Sequence, residues 1–253
     1  MGSLAGKATL VTGASRGIGR AIAQRLADQG ATVAVHYGRR GNEAGETVRM
    51  IEQAGGSAFA IGADLTHAGA IAELFSGLDA EFGRRGHDSL HILVNNAGIG
   101  GGGDIAGVKE TDFDRLFATN VKGTFFVTQQ ALPRLTDGGR IITISSMVAL
   151  AAYPGSIAYA MTKAALNSFT SSLAVDVAKR NITVNAVAPG ATATDFIAPL
   201  LARPDLASFF AKAAALGRLG QPKDIAEVVA FLASAEGGWI TGQVIQASGG
   251  MHL

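Results

Sequence analysis

The chain has 253 residues, 48% of them hydrophobic and 16% charged, with a net charge of +1 and no cysteine. That suits one compact domain spanning residues 1–253 around a large core, and the near-neutral charge gives no reason to expect nucleic acid or an anionic membrane as a partner. The lack of cysteine excludes disulfides, thiolate metal sites and a cysteine nucleophile. The 34 glycines are scattered through turns rather than set in a repeat, which removes collagen-like and low-complexity readings. Met1 to Lys7 lacks a basic region followed by an apolar core, so no signal peptide is expected. Gly6, where Ser or Thr would be needed, argues against myristoylation of Gly2. A soluble cytoplasmic protein is the expectation.

Short apolar runs then alternate with helical stretches. The first predicted strand, Ala8–Val11, runs into Gly13, Gly17 and Gly19 and a helix near Gly19–Gln29. Glycines in a strand-to-helix turn present backbone amides and a helix N-terminus to an anion such as pyrophosphate. Their spacing is G-x3-G-x-G, not the G-x-G-x-x-G of many dinucleotide folds. Strand Thr32–His36 leads through Tyr37, Gly38, Arg39 and Arg40 to a helix near Glu43–Ala54. Strand Ala58–Gly62 ends before Asp64 and Leu65, and Asp64 or Thr66 is placed to cap the next helix, Ala68–Phe82. Strand Ile92–Asn95 runs into Asn96, Ala97 and Gly98. The four glycines Gly100–Gly103 that follow are read as the rim of a cleft.

The second half continues with one long helix, Asp112–Leu135, and strand Arg140–Ser145. Helix Ala158–Lys179, strand Thr183–Ala188, helix Pro222–Ser234 and strand Val244–Ala247 complete the chain. The alternation predicts an α/β fold, a Rossmann-type doubly wound parallel sheet of about seven strands with helices on both faces. Ligands of such sheets bind at the carboxyl ends of the strands. The uncharged stretch Ile141–Thr162 is long enough to suggest a membrane span. It is interrupted by Ser145-Ser146 and Tyr153-Pro154-Gly155, so it reads as strand, loop and helix start. Ala191–Gly220 breaks the rhythm with two prolines and short Ala-rich pieces; it is read as a flap over substrate, the alternative being a surface helical hairpin.

Tyr159 and Lys163 are four residues apart, on one face of a helix and about 5–6 Å apart at Cβ. An ammonium beside a phenol favours phenolate and is expected to pull the Tyr pKa below about 10. Ser146, thirteen positions before Tyr159, ends an apolar strand and can bond the same substrate oxygen; Ser145 is the rival hydroxyl. Together these suit proton donation to a carbonyl under reduction. The five histidines His36, His67, His87, His91 and His252 have no ligand spacing, so no metal is expected. His36 reads as packing beside the adenosine pocket.

Thr12 to Gly19, Asn95 to Gly98, Asn120, Ser146, Tyr159-x3-Lys163 and Pro189-Gly190 occur in that order. Over essentially its whole length the chain resembles the classical short-chain dehydrogenase/reductase family, and within it the 3-oxoacyl-acyl-carrier-protein reductases and related ketone reductases. The resemblance implies catalysis by Ser146, Tyr159 and Lys163, with Asn120 anchoring a water that links Lys163 to solvent. It implies cofactor binding by Gly13, Ser15, Arg16, Gly17, Ile18 and Gly19 and by Asp64, Leu65, Asn96, Ala97 and Gly98. Tyr159, Lys163, Pro189 and Gly190 complete that set. Thr194 stands where the family holds the nicotinamide carboxamide with a hydroxyl; Thr192 stands where many relatives are apolar, so both are candidates. It further implies a homotetramer, assembled through the helices near Asp112–Leu135 and Ala158–Lys179 and the last strand.

The second strand ends without a carboxylate until Glu43 and carries Arg39 and Arg40 instead, with Arg16 in the glycine loop. Guanidiniums suit a phosphate, so NADP(H) is expected over NAD(H), held by Arg39 and Arg16, with Tyr37 and Gly38 beside the adenine and Arg40 a solvated charge. The expected activity is NADPH-dependent reduction of a small-molecule carbonyl. The substrate is a free ketone or a 3-oxoacyl thioester of CoA or a carrier protein. Lys122, Arg134 and Arg203 are the basic residues available to an acidic carrier. The alternatives are an alcohol or sugar dehydrogenase working oxidatively and a dinucleotide-binding protein without catalysis.

Overall fold

The computed structural model describes residues 2–153 and 155–251. Met1, Pro154, His252 and Leu253, which enter the expectations above, lie outside the described residues. Seven strands form one parallel sheet: β1 (Ala8–Val11), β2 (Thr32–Tyr37), β3 (Ser57–Gly62), β4 (Leu90–Asn95), β5 (Leu135–Ile144), β6 (Thr183–Pro189) and β7 (Val244–Ala247). Their order is β3-β2-β1-β4-β5-β6-β7, so the winding reverses between β1 and β4. That reversal opens a crevice at the carboxyl ends of β1 and β4, where such sheets take ligands.

The strands are near-continuous apolar runs because helices cover both faces. On one face, α1 (Gly17–Asp28), α2 (Gly41–Gln53) and α9 (Pro222–Ala233) bury Ile22, Leu26, Ile51, Ile225 and Val229 against Val11, Val33, Val94 and Ile142. On the other, α3 (Ala68–Arg84), α5 (Thr124–Ala131) and α6 (Ile157–Asp176) bury Leu74, Phe75, Leu78, Val127 and Leu173 against Leu10, Leu93, Ile141 and Val184. Among the described residues, no helix is long and apolar enough to cross a membrane.

The long helix expected over Asp112–Leu135 is instead divided. α4 (Glu110–Phe117) widens into a π turn over Ala118–Gly123 before α5 begins, and Leu135 belongs to β5. Two contacts distant in sequence meet at the widened turn. The Asn120 amide is bonded to the backbone of Ile99, and a side chain at Gly123 would press to 3.0 Å from the Leu65 carbonyl. Helical periodicity cannot reveal an inserted residue, and π turns concentrate at functional sites. β5 also starts earlier than expected, with a register shift between its pairings to Leu90 and Ile92.

After β6, α7 (Ala198–Leu201) and α8 (Pro204–Ala213) stand in an insertion whose ends are tied together. Ala193 N–H donates to the Gly220 carbonyl at 2.8 Å, and Gly220 N–H to Ala191 at 2.9 Å. Residues 194–219 therefore leave and re-enter the domain through one narrow neck.

Candidate active site

The crevice is built by tying the ends of β1 and β4 together. Thr12 Oγ1 accepts from the backbone N–H of Asn96 at 2.9 Å and of Ala97 at 3.0 Å. The Asn96 amide donates back to the carbonyls of Thr12 (2.8 Å) and Gly13 (3.0 Å). Thr12 was absent from the expected site; the signal for it is a hydroxyl at a strand end opposite an Asn-Asn pair. Gly13 has a positive φ of 64°, and a Cβ there would lie 2.8 Å from Ala97 Cα. At Gly19 a Cβ would lie 2.4 Å from both Asn96 Nδ2 and the Gly13 carbonyl. Both positions are therefore closed to any other residue.

No side chain caps the N-terminus of α1, so the first amides of that helix, including Ile18 and Gly19, are available to an anion in the crevice. Ser15 is buried beneath this turn, and its carbonyl accepts from Arg20 and Thr47. His36, expected to serve packing rather than chemistry, is buried with both ring nitrogens hydrogen-bonded, one to the glycine loop and one to the carbonyl of Ala63.

The guanidiniums divide. Arg39 is exposed beside Gly38 at the crevice mouth. Arg40 is also exposed and pairs with Glu43 at 3.3 Å, the solvated charge it was expected to be. Arg16 pairs with Asp195 at the start of the insertion, at 2.7 Å, and the Thr194 methyl lies against Gly17. The insertion thus rests on the glycine loop. The Tyr37 ring packs against Gly41 and Gly62 and joins the core on that face, so only its edge is left toward an adenine. Asp64 caps nothing: α3 begins after His67. Its carboxylate accepts from the hydroxyl and amide of Thr66, which hold it below the usual carboxylate range, with His67 and Arg39 adding smaller pulls. Leu65 is buried behind it.

Ser146, Tyr159 and Lys163 converge, as expected, from the end of β5 and the first turns of α6. Ser146 caps a short 3-10 turn, Met147–Ala149, by accepting from Val148 N–H, and its hydroxyl is near enough to the Tyr159 phenol to pull its pKa down. The rival Ser145 is buried, donating to Asn167 Oδ1 at 2.6 Å, and faces away. Lys163 is buried with its ammonium donating to the Ile144 carbonyl at 2.7 Å and 5.7 Å from the centre of the Tyr159 ring.

The expected acidic phenol is not what the free protein holds. Burial pushes the Tyr159 pKa up to about 12, against a smaller lowering by the nearby Ser146 hydroxyl. Burial also pushes Lys163 down to about 8. A group taken out of water prefers its neutral form, so burial pushes each of the two away from its charged state.

Asn120 lies in the π turn and is fully buried. Its side chain accepts from Ile99 N–H at 2.9 Å and donates to the Ile99 carbonyl (3.0 Å) and to Thr162 (3.1 Å). It thereby fixes the loop after Gly98 to the helix that carries Tyr159 and Lys163. A side chain at Gly98 would approach Asn120 Oδ1 at 3.2 Å and Lys163 Nζ at 3.7 Å. On the far side, Gly190 after Pro189 packs on Ser248. Thr192 is buried and donates to the Gly190 carbonyl at 3.0 Å; Thr194, partly accessible, donates to Thr192 at 3.3 Å.

Phe196 is a wall residue that periodicity could not reveal. Its ring centre is 6.0 Å from that of Tyr159, and it lies on Gly100, where a Cβ would meet the ring at 2.8 Å. Behind the glycine rim is a cavity of about 230 Å³ bounded by Gly100–Gly102, Val108, Leu116 and Ala158. Of the three basic residues offered for a carrier protein, Lys122 is exposed in the π turn beside Asn120. Arg134 sits at the amino end of β4, opposite the crevice, bound to Asp79. Arg203 pairs with Asp205 on the insertion.

Residues 13–252 match a family model described as enoyl-(acyl carrier protein) reductase. A hydroxynaphthalene reductase-like protein of Metarhizium brunneum is 41% identical over 260 residues, covering 98% of this chain and 96% of its own. The angucycline C-6 ketoreductase LanV, solved with bound NADP, superposes with a TM-score of 0.94 at 45% identity over 99% of this chain and 97% of that one. LugOII, a promiscuous reductase catalysing keto-reduction at C1 in lugdunomycin biosynthesis, superposes with a TM-score of 0.95 at 46% identity, over 99% and 100% of the two chains.

Proposed function

Because the chain belongs to the short-chain dehydrogenase/reductase family, as an NADP-dependent oxidoreductase, we propose that it reduces free cyclic or aromatic ketones with Tyr159 as proton donor. The observation that carries this reading is the convergence of the Ser146 hydroxyl and the Tyr159 phenol, with the buried ammonium of Lys163 5.7 Å from the phenol ring centre. Two hydroxyls aimed at one point can hold a carbonyl oxygen, polarise it and protonate it. NADPH, when bound, supplies the hydride.

The uncapped N-terminus of α1 and the exposed guanidinium of Arg39 suit a pyrophosphate and a ribose phosphate. Arg16 would add a second guanidinium by leaving Asp195. Gly38, Asp64, Leu65, Ala97 and Gly98 line the adenosine side, and Pro189, Gly190, Thr192 and Thr194 the nicotinamide side. Replacing Arg39 or Arg16 with Ala is expected to weaken NADPH roughly tenfold and leave NADH unchanged. Arg40→Ala should alter neither. Equal loss of both cofactors in titrations would remove the arginines from 2′-phosphate recognition.

The Phe196 ring set against Tyr159 favours a flat apolar ketone over a carrier-borne acyl chain. The angucycline C-6 ketoreductase, the keto-reducing LugOII and the hydroxynaphthalene reductase-like protein among the relatives support the same substrate class. Residues 194–219 act as the flap over it, hinged at the Ala191–Gly220 neck. NADPH oxidation should be followed on bicyclic and tricyclic aromatic ketones, simple aliphatic ketones and an acetoacetyl thioester. Turnover highest on the ring ketones is expected; strong preference for the thioester would replace this reading with acyl-chain reduction.

The enzyme is read as cytoplasmic and as a homotetramer. Met161 and Val175 on α6, Phe125 on α5 and Trp239, which is 98% exposed before β7, supply apolar surface for self-association.

A further inference from the structure

His36 ends the buried run of β2 and is itself only 2% exposed. Its Nδ1 accepts the Gly13 N–H at 3.1 Å, and its Nε2 lies 3.1 Å from the Ala63 carbonyl. Its own carbonyl accepts the Ala14 N–H at 2.8 Å. One residue therefore grips the first two amides of the glycine loop and, through the ring, the chain just before Asp64. The two ring contacts make opposite demands. An N–H needs an acceptor at Nδ1, and a carbonyl needs a donor at Nε2. Only the neutral ring with its proton on Nε2 meets both. Protonation would set N–H against N–H, and burial pushes the His36 pKa down to about 4, in keeping with a ring that stays neutral.

We propose that His36 is a positioning residue of the cofactor loop: it holds the Gly13 peptide so that the later amides of the turn face the pyrophosphate. This rests on the assignment of that turn to NADP(H) under the proposed function. The Thr12–Gly13 peptide is held at both ends, its carbonyl by the Asn96 amide and its N–H by His36, so the His36 bond is the second of the two that fix its rotation. The contact to Ala63 keeps the ring upright and adds the adenosine side of the pocket to the same frame.

The test separates the two nitrogens. An Asn side chain places its oxygen near the position of Nδ1, and a Gln side chain places its nitrogen near that of Nε2. His36→Leu is expected to raise the dissociation constant for NADPH, read by fluorescence titration, roughly tenfold, because a buried N–H loses its acceptor. The kcat at saturating NADPH and the KM for ketone should stay within about twofold of wild type. His36→Asn should recover most of the affinity and His36→Gln little. The 15N shifts of His36 in the folded protein should report a proton on Nε2. Recovery by Gln and not Asn, equal recovery by both, or a proton on Nδ1 would overturn the proposal, and the Asn and Gln pair decides it even if the Leu variant fails to fold. Because wild-type NADPH binding is measured directly, its absence would sink the cofactor-site reading, whereas intact binding indifferent to His36 would sink this proposal alone.

Discussion

Tyr159→Phe is expected to abolish nearly all ketone reduction while leaving NADPH binding intact. The substitution removes one oxygen and keeps the ring, so packing against Phe196 and the approach to Lys163 survive. Ser146 remains to hold the carbonyl oxygen, but nothing at the site then delivers a proton to it. A positioned general acid contributes about 10²–10⁴-fold, so kcat should fall by roughly 10³-fold with the NADPH dissociation constant within about twofold. Stopped-flow turnover beside a cofactor titration checks both halves. Retained turnover would assign the proton to another group, and joint loss of binding would make the phenol a structural or cofactor contact.

Lys163→Met should have a comparable effect on turnover and a distinctive effect on stability. A phenol held near 12 by burial is poorly matched to acid/base work at neutral pH, and Lys163 is the buried cation placed to lower it once cofactor is bound. Its loss is expected to cost roughly 10²-fold or more in kcat.

The stability effect has a definite sign. The Lys163 pKa is lowered from 10.5 to about 8 on folding, so between those values the unfolded chain binds a proton that the folded protein does not. Its contribution to wild-type stability should therefore rise with pH from about 8 to 10.5, by up to about 3 kcal/mol. Below about 8 the ammonium is charged in both states and the desolvation cost is fully present. Tyr159 acts in the opposite sense only above its unfolded value of 10.0, where its raised pKa makes stability fall as pH rises toward 12. Denaturant melts of the cofactor-free protein from pH 8 to 10 should show less of the rise in the Met variant. An identical slope in both proteins would mean that Lys163 is not desolvated as the geometry indicates.

Much of this site can be read along the chain, because its parts obey local rules. A glycine-rich turn needs only a strand before it and a helix after it. Tyr159 and Lys163 share a face by helical spacing alone, and Arg39 reports a missing carboxylate at one strand end. The seven strands and most helices follow from the same periodicities. Where prediction and structure part, a contact distant in sequence is responsible. At the π turn the Asn120 side chain is committed to Ile99 and the Leu65 carbonyl crowds Gly123.

The sequence by itself determined the parallel α/β architecture, the glycine turn between β1 and α1, the arginines in place of a carboxylate after β2 and the grouping of Ser146, Tyr159 and Lys163. Each is encoded within a few residues or one period. Only the tertiary structure decided which serine faces the crevice, that Thr12 latches β1 to β4, that Phe196 walls the site and that His36 grips the glycine loop. It also reversed the expected pKa of Tyr159. Sequence spacing brings an ammonium near a phenol, but the cost of taking both out of water depends on everything packed around them, and that is settled only when the chain has folded.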